Sequence, residues 1–189
     1  MSNLTMSTAT AIVAQVTAGT LTAESVVRAH LERIAARDDA VRAWAHLDPS
    51  AALDAAIALD RRGARGPLAG VPIAVKDLID TGDMPTDYGS TIYAGHQPAD
   101  DAAVVAASRA ADGLVLGKSV TTEFAWRNPG PTTNPHNPAH TPGGSSSGSA
   151  AAVADGLATL GLGTQTAGSV IRRAAYCGVV GFIPTRGTY

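Results

Sequence analysis

Residues 141–149 hold the side chains best placed to do chemistry, because seven of these nine are Gly or Ser. The run Gly143-Gly144-Ser145-Ser146-Ser147-Gly148-Ser149 follows a proline-rich stretch and leads into an apolar, alanine-rich segment. A serine hydroxyl is a weak nucleophile until a neighbouring base activates it. The start of a helix offers unpaired backbone N–H groups to negative charge. A Gly/Ser run can also be a flexible linker. Its place before an apolar helix, rather than between two domains, argues against that reading. Gly144-Ser145-Ser146-Ser147-Gly148 also fits G-x-S-x-G with Ser146 in the middle, the nucleophile elbow of an α/β-hydrolase. That elbow requires an acid and then a histidine further along the chain. The five histidines, His30, His46, His96, His136 and His140, all precede the loop, so the elbow reading fails for the chain as it stands.

Without a usable histidine, a lysine can activate a serine if it is neutral. Free lysine has a pKa of about 10.4, so burial would have to lower it strongly. Lys76 ends the apolar run Val71-Pro72-Ile73-Ala74-Val75, a suitable setting. Position alone favours the plainer reading, a strand-end lysine that snorkels to water. A second glycine pair, Gly113-Leu114-Val115-Leu116-Gly117-Lys118-Ser119, superficially resembles a phosphate-binding loop. It has three residues between the glycines where four are required, and Leu-Val-Leu is a strand pattern.

These residues need a scaffold, and the pattern supplies one. Apolar and small residues near a 3.6 period predict a helix over residues 20–36, with Thr20 or Thr22 as cap and Glu24 in the first turn. A second helix is predicted over residues 49–62, capped by Asp48 or Ser50 and closed by Arg61, Arg62 and Gly63. Residues 71–75 and 113–117 are short, apolar and rich in β-branched residues or leucine, as buried strands are. A helix is expected over residues 100–111 and another over 150–156. Residues 160–163 and 179–183 are strand-like. Residues 127–142 hold five of the 11 prolines and read as a long irregular loop. Strands alternating with helices argue for an α/β sheet.

Composition narrows the function classes. Of 189 residues, 37 are Ala and 20 are Gly, while aromatics are 4%, so backbones should pack closely with little area buried per side chain. Fourteen basic and 16 acidic residues give a net charge of −2, which offers no electrostatic case for nucleic acid or an anionic membrane. No apolar run approaches the roughly 18 residues of a membrane span. One cysteine, Cys177, excludes an internal disulfide and a cysteine metal cluster. A cytoplasmic location is the expectation.

Taken together, four segments resemble the amidase signature family. They are Gly70-Val71-Pro72-Ile73-Ala74-Val75-Lys76-Asp77, Pro142 through Ala151, Gly161-Leu162-Gly163-Thr164-Gln165-Thr166-Ala167-Gly168-Ser169, and Tyr176-Cys177-Gly178-Val179-Val180-Gly181. Gly117-Lys118-Ser119 and Thr122-Glu123-Phe124-Ala125 are similar to it as well. The resemblance covers most of the chain from residue 66 onward. It implies an α/β amidase-signature fold, a mixed sheet covered by helices, with only the N-terminal portion in this chain. Residues 1–189 would be one partial domain, with a helical segment at 1–65 and the catalytic signature region at 66–189. It also implies a Ser–cis-Ser–Lys triad. Ser169 would be the nucleophile, Ser145 the bridging serine after a cis peptide bond, and Lys76 the base. The spacings of 69 and 24 residues fit that arrangement. The backbone N–H groups of Thr166, Ala167, Gly168 and Ser169 would form the oxyanion hole. The implied activity is hydrolysis of a linear carboxylic amide through an acyl-enzyme, with no metal or organic cofactor.

Three departures stand out. Gln165 and Ala167 occupy positions where many members have Asp and Gly. Arg173 stands where the family typically has proline, and burying an unpaired charge there would be costly. The chain is also much shorter than the family domain. Two alternatives follow: a truncated inactive fragment, or the glutaminase component of a tRNA-dependent amidotransferase. The expected partners are a small-molecule amide and either a second copy or the remainder of the domain, with no direct nucleic-acid or membrane contact.

Overall fold

A four-stranded mixed sheet, in the order β1-β3-β2-β4, organises the chain. The structure, a computed structural model, describes residues 4–185, 187 and 188. In chain order the elements are α1 (Ala9–Thr17), α2 (Ala23–Val41), β1 (Trp44–Leu47), α3 (Pro49–Arg62), β2 (Pro72–Lys76), α4 (Ala103–Ala110), β3 (Leu114–Ser119), α5 (Ser147–Ala154), β4 (Leu160–Leu162) and α6 (Ile171–Cys177). β2 runs parallel to both β3 and β4, and β1 pairs antiparallel with β3. Parallel strands need crossovers. α4 lies in the connection from β2 to β3.

Local signals set the helices. The Thr22 side chain caps α2 by accepting the Ser25 N–H. Asp48 caps α3 by accepting from Ser50 and Ala51, Pro49 sits at the first position, and Gly63 ends it with φ 79°. Two apolar clusters cover the sheet's faces. On one side Val27, Ile34, Leu59, Ala74, Leu116, Ala151 and Leu157 pack together, drawn from α2, α3, α5 and the sheet. On the other, Ile12, Val16, Val71, Ile73, Val75 and Val105 join α1 and α4 to β2.

The residues of the false phosphate loop form β3, as the Leu-Val-Leu pattern predicts. Residues 179–183 depart from the expected strand. They form none among the described residues, and Val180 is 96% and Phe182 74% exposed. A β-branched run becomes a strand only beside a partner, and none pairs with it here. The strand β1 has no counterpart in the sequence pattern because four residues of mixed exposure carry too little period to detect. Among the described residues, no helix is long and apolar enough to cross a membrane.

Candidate active site

Lys76 is placed by the alternation of β2. Ile73 and Val75 face the cluster of α1 and α4, whereas Ala74 faces the cluster that includes α5. Lys76, two residues beyond Ala74, therefore projects to the α5 side. The register of β4 puts Leu162 beside Val75, so the chain leaves β4 next to the end of β2. Lys76 is fully buried. Its Nζ donates to Ser145 Oγ at 2.6 Å and to Thr164 Oγ1 at 2.6 Å. Among the described residues it has no carboxylate partner. Burial, and secondarily the nearby charge of Arg173, lower its pKa to about 7. The snorkelling lysine that position alone suggested is thus excluded.

The Gly/Ser loop is fixed in place by its own hydroxyls. Ser145, Ser146, Ser147 and Ser149 are only 2–4% exposed. Ser146 Oγ donates to the Thr164 carbonyl at 3.3 Å, Ser147 Oγ to the Val120 carbonyl at 3.2 Å, and Ser149 Oγ to the Leu162 carbonyl at 2.9 Å. Each tie joins the loop or α5 to a segment distant in sequence, and a flexible linker has no such anchors. Ser145 alone turns its hydroxyl to Lys76. The peptide bond before it, Gly144–Ser145, is cis, and the Ser145 carbonyl accepts from the N–H groups of Thr122 at 3.1 Å and Ser147 at 2.9 Å. Gly148 must be glycine, because a Cβ there would lie 2.3 Å from the Ala43 carbonyl oxygen and the Val120 nitrogen.

The segment between β4 and α6 closes on itself through one side chain. Gln165 Oε1 accepts from the Val170 N–H at 2.9 Å and the Ile171 N–H at 3.1 Å. Between these anchors, the N–H groups of Thr166, Ala167, Gly168 and Ser169 donate to no group among the described residues. Four free donors in succession make a ready site for a developing oxyanion. Ser169 is half-buried, and its hydroxyl makes no hydrogen bond among the described residues. The structure thus brings Lys76 and Ser145 into contact and leaves Ser169 at the mouth of the loop, unjoined to Ser145.

Arg173, on α6, is 5% exposed, and its Nε has no partner among the described residues. Its guanidinium lies against Gly143 and Gly144, the glycines leading into Ser145. Sequence reasoning assigns no role to Thr164, which bonds Lys76, or to Gln165, which ties the segment before α6, although both lie inside the motif that ends at Ser169. The available signal is their position one strand-length after the Gly/Ser helix. Two of the five histidines that could not serve the elbow brace the scaffold instead: His30 Nδ1 meets the Val26 carbonyl at 2.9 Å, and His136 Nε2 meets the Cys177 carbonyl at 2.8 Å.

Comparison with known proteins places the chain in a family. Residues 25–189 match the Amidase family. The chain is 48% identical to the A component of the glutamyl-tRNA(Gln) amidotransferase of Acidothermus cellulolyticus, over 99% of this chain and 39% of that protein. It is 44% identical to the protein of the same name from Salinispora arenicola, over 99% of this chain and 40% of that one. Among solved structures, the peptide amidase of Stenotrophomonas maltophilia superimposes with a TM-score of 0.82 at 39% identity, covering 89% of this chain and 38% of that one. The chain therefore spans about two fifths of the length of these relatives. The mixed sheet, the helices that cover it and the family match over residues 25–189 lead to one assignment: the chain belongs to the amidase family, that of the amidase-signature enzymes.

Proposed function

We propose that this chain carries the acyl-transfer centre of an amidase, with Ser169 as nucleophile, Ser145 as proton bridge and Lys76 as base. The observation that carries this reading is the Lys76–Ser145 contact at 2.6 Å, made by a buried lysine with no carboxylate partner among the described residues. A lysine whose pKa is lowered to about 7 is largely neutral above neutrality and can accept a proton.

In the proposed reaction, Lys76 takes the Ser145 proton as Ser145 takes the Ser169 proton. Ser169 Oγ then bonds to the amide carbonyl carbon, and the carbonyl π pair moves to oxygen. The free N–H groups of Thr166 through Ser169 hold that oxyanion. Collapse breaks the C–N bond, and the proton returns through Ser145 to the leaving nitrogen, which departs as ammonia or an amine. Water repeats the cycle on the acyl-enzyme and releases the acid. The Ser169 hydroxyl must swing toward Ser145 for the first step, and catalytic hydrogen bonds often tighten in this way once substrate binds.

A serine-directed fluorophosphonate tests this directly. It should label the chain at Ser169, and Ser169→Ala should abolish the label. Full labelling of the alanine variant would falsify the assignment. A second reading, the glutaminase component of an amidotransferase, is favoured by the 48% identity to a protein of that kind. It predicts glutamine-dependent ammonia release that requires a partner protein. Release without a partner, or from other amides only, argues for a free-standing amidase.

A further inference from the structure

Two basic side chains are buried beside the cis bond, and among the described residues neither pairs with an anion. Lys76 is fully buried, and its partners are the neutral hydroxyls of Ser145 and Thr164. Arg173 is only 5% exposed, with no ion pair among the described residues. Its guanidinium is pressed onto the backbone that leads into Ser145: a Cβ on Gly143 would lie 2.7 Å from Nη1, and one on Gly144 would lie 3.6 Å from Nη2. We propose that Arg173 is a positioning residue that acts through Lys76, its fixed positive charge keeping the lysine amine uncharged and so available as a base.

The argument follows from which of the two can yield. Burial and then Arg172 lower the pKa of Arg173, but a guanidinium starts so high that it holds its proton where a buried ammonium gives its proton up. Like charges in a poorly screened interior repel strongly. Nothing else around Lys76 offsets this. On α6, Arg172 adds a second positive charge beside Gly168, and Tyr176 and Cys177 lie near Arg173 and favour its charged form. On β3, Ser119 lies beside Lys76 in register, and Lys118 projects to the other face. The adjacent Asp77 is already engaged, with Lys118 Nζ 3.6 Å away and the Asp87 N–H donating to it at 3.2 Å. The Gly/Ser loop and the segment after β4 contribute only the hydroxyls of Ser145 and Thr164.

This inference rests on the reading of Lys76 as base, and the test separates the two. The chain has two lysines, so a protein carrying lysine labelled with ¹³C at the ε-carbon gives two resonances, assigned with Lys76→Met. In the unaltered chain the Lys76 resonance should titrate near pH 7. In Arg173→Met, which keeps the apolar stem and removes the charge, the midpoint should rise by about one pH unit. Arg173→Gln should behave like Arg173→Met, and Arg173→Lys should retain the low midpoint. The acid limb of the pH profile for fluorophosphonate labelling should move with the resonance. A merely structural role for Arg173 would lower the labelling amplitude without moving that limb. An unchanged midpoint in both neutral variants overturns the proposal and leaves Lys76 as base, held neutral by burial alone. A Lys76 midpoint in the ordinary lysine range in the unaltered chain overturns the base reading, and this proposal with it.

Discussion

Lys76 and Lys118 stand at the ends of neighbouring parallel strands, and both are fully buried. They face opposite sides of the sheet. The register between β2 and β3 slips once, with Ile73 opposite Val115 but Ala74 opposite Gly117, so Leu116 is an extra residue. A bulge of this kind exchanges the faces for all that follows it. Lys76 then shares its side with Ser119, and Lys118 turns to the other. There it meets Asp77 at 3.6 Å, the hydroxyl of Thr86 and the Pro85 carbonyl at 3.4 Å. Burial lowers the pKa of Lys118, but Asp77 opposes it; burial also lowers that of Lys76, and Arg173 reinforces it. One residue type at equal burial thus becomes a structural ion pair on one face and, in the proposed reaction, the base on the other. The identity of the nearest charge decides between them.

The sharpest way to break this comparison is to delete each amine in turn. Lys118→Met strands the Asp77 carboxylate in the interior, and loss of one partner of a buried pair costs about 3–5 kcal/mol. Urea unfolding should report that loss, and adding Asp77→Asn should recover at least half of it. Lys76→Met removes a desolvated amine that pairs with no anion, so stability should hold or rise. Fluorophosphonate labelling should instead fall by about a thousandfold, within the usual range for removal of a general base. If the two variants lost stability and labelling in equal measure, the division of roles would collapse.

A second test uses pH. An unfolded lysine titrates near 10.4, whereas folded Lys76 titrates at about 7. Between these values the unfolded chain holds the proton and the folded one does not. Raising the pH therefore stabilises the folded state, by about 1.4 kcal/mol per pH unit. Below pH 7 both forms carry the proton, and the full penalty of burying a charge persists. The difference in unfolding free energy between the unaltered chain and Lys76→Met should climb with that slope from pH 7.5 to 9.5. Lys118 is present in both proteins and cancels. A difference that stayed flat over this range would mean that Lys76 keeps its proton in the fold.

What can be read from the sequence is what neighbouring residues decide for one another. Asp48, Pro49, Arg61, Arg62 and Gly63 bound α3 where the pattern puts it, because caps and dipole charges act within a turn. The pairing of Lys76 with Ser145 is implied in advance only by the resemblance of their two motifs to the amidase signature. The helix α5 starts three residues earlier than the pattern predicts. Ser147, Gly148 and Ser149 are poor helix formers, yet contacts with Val120, Ala43 and Leu162 override their propensity. The uses of the four serine hydroxyls are illegible for a related reason: four of their five partners belong to strands or loops 13–30 residues away, and the fifth is Lys76. The bulge that separates the two lysines leaves no trace in composition either, since it arises from how two strands pair.

The finest distinction concerns Thr164, which shares Lys76 with Ser145 at the same 2.6 Å distance. Its hydroxyl orients the amine without entering the proton path proposed for Ser145. Thr164→Val keeps the shape and deletes one hydrogen bond, a change worth about 1 kcal/mol. Labelling of Ser169 should slow by about fivefold, far less than in Lys76→Met, because the amine loses orientation but keeps its bridge. Thr164 holds a second tie that the substitution spares, since its backbone carbonyl accepts from Ser146 Oγ at 3.3 Å. The loop therefore stays anchored, and Thr164→Ser, which restores the hydroxyl, should recover the rate. Were Thr164→Val as damaging as Ser145→Ala, the proton path would run through Thr164 as readily as through Ser145. Lys76 would then have two bridges, and its difference from Lys118 would rest on the hydroxyl pair rather than on Ser145.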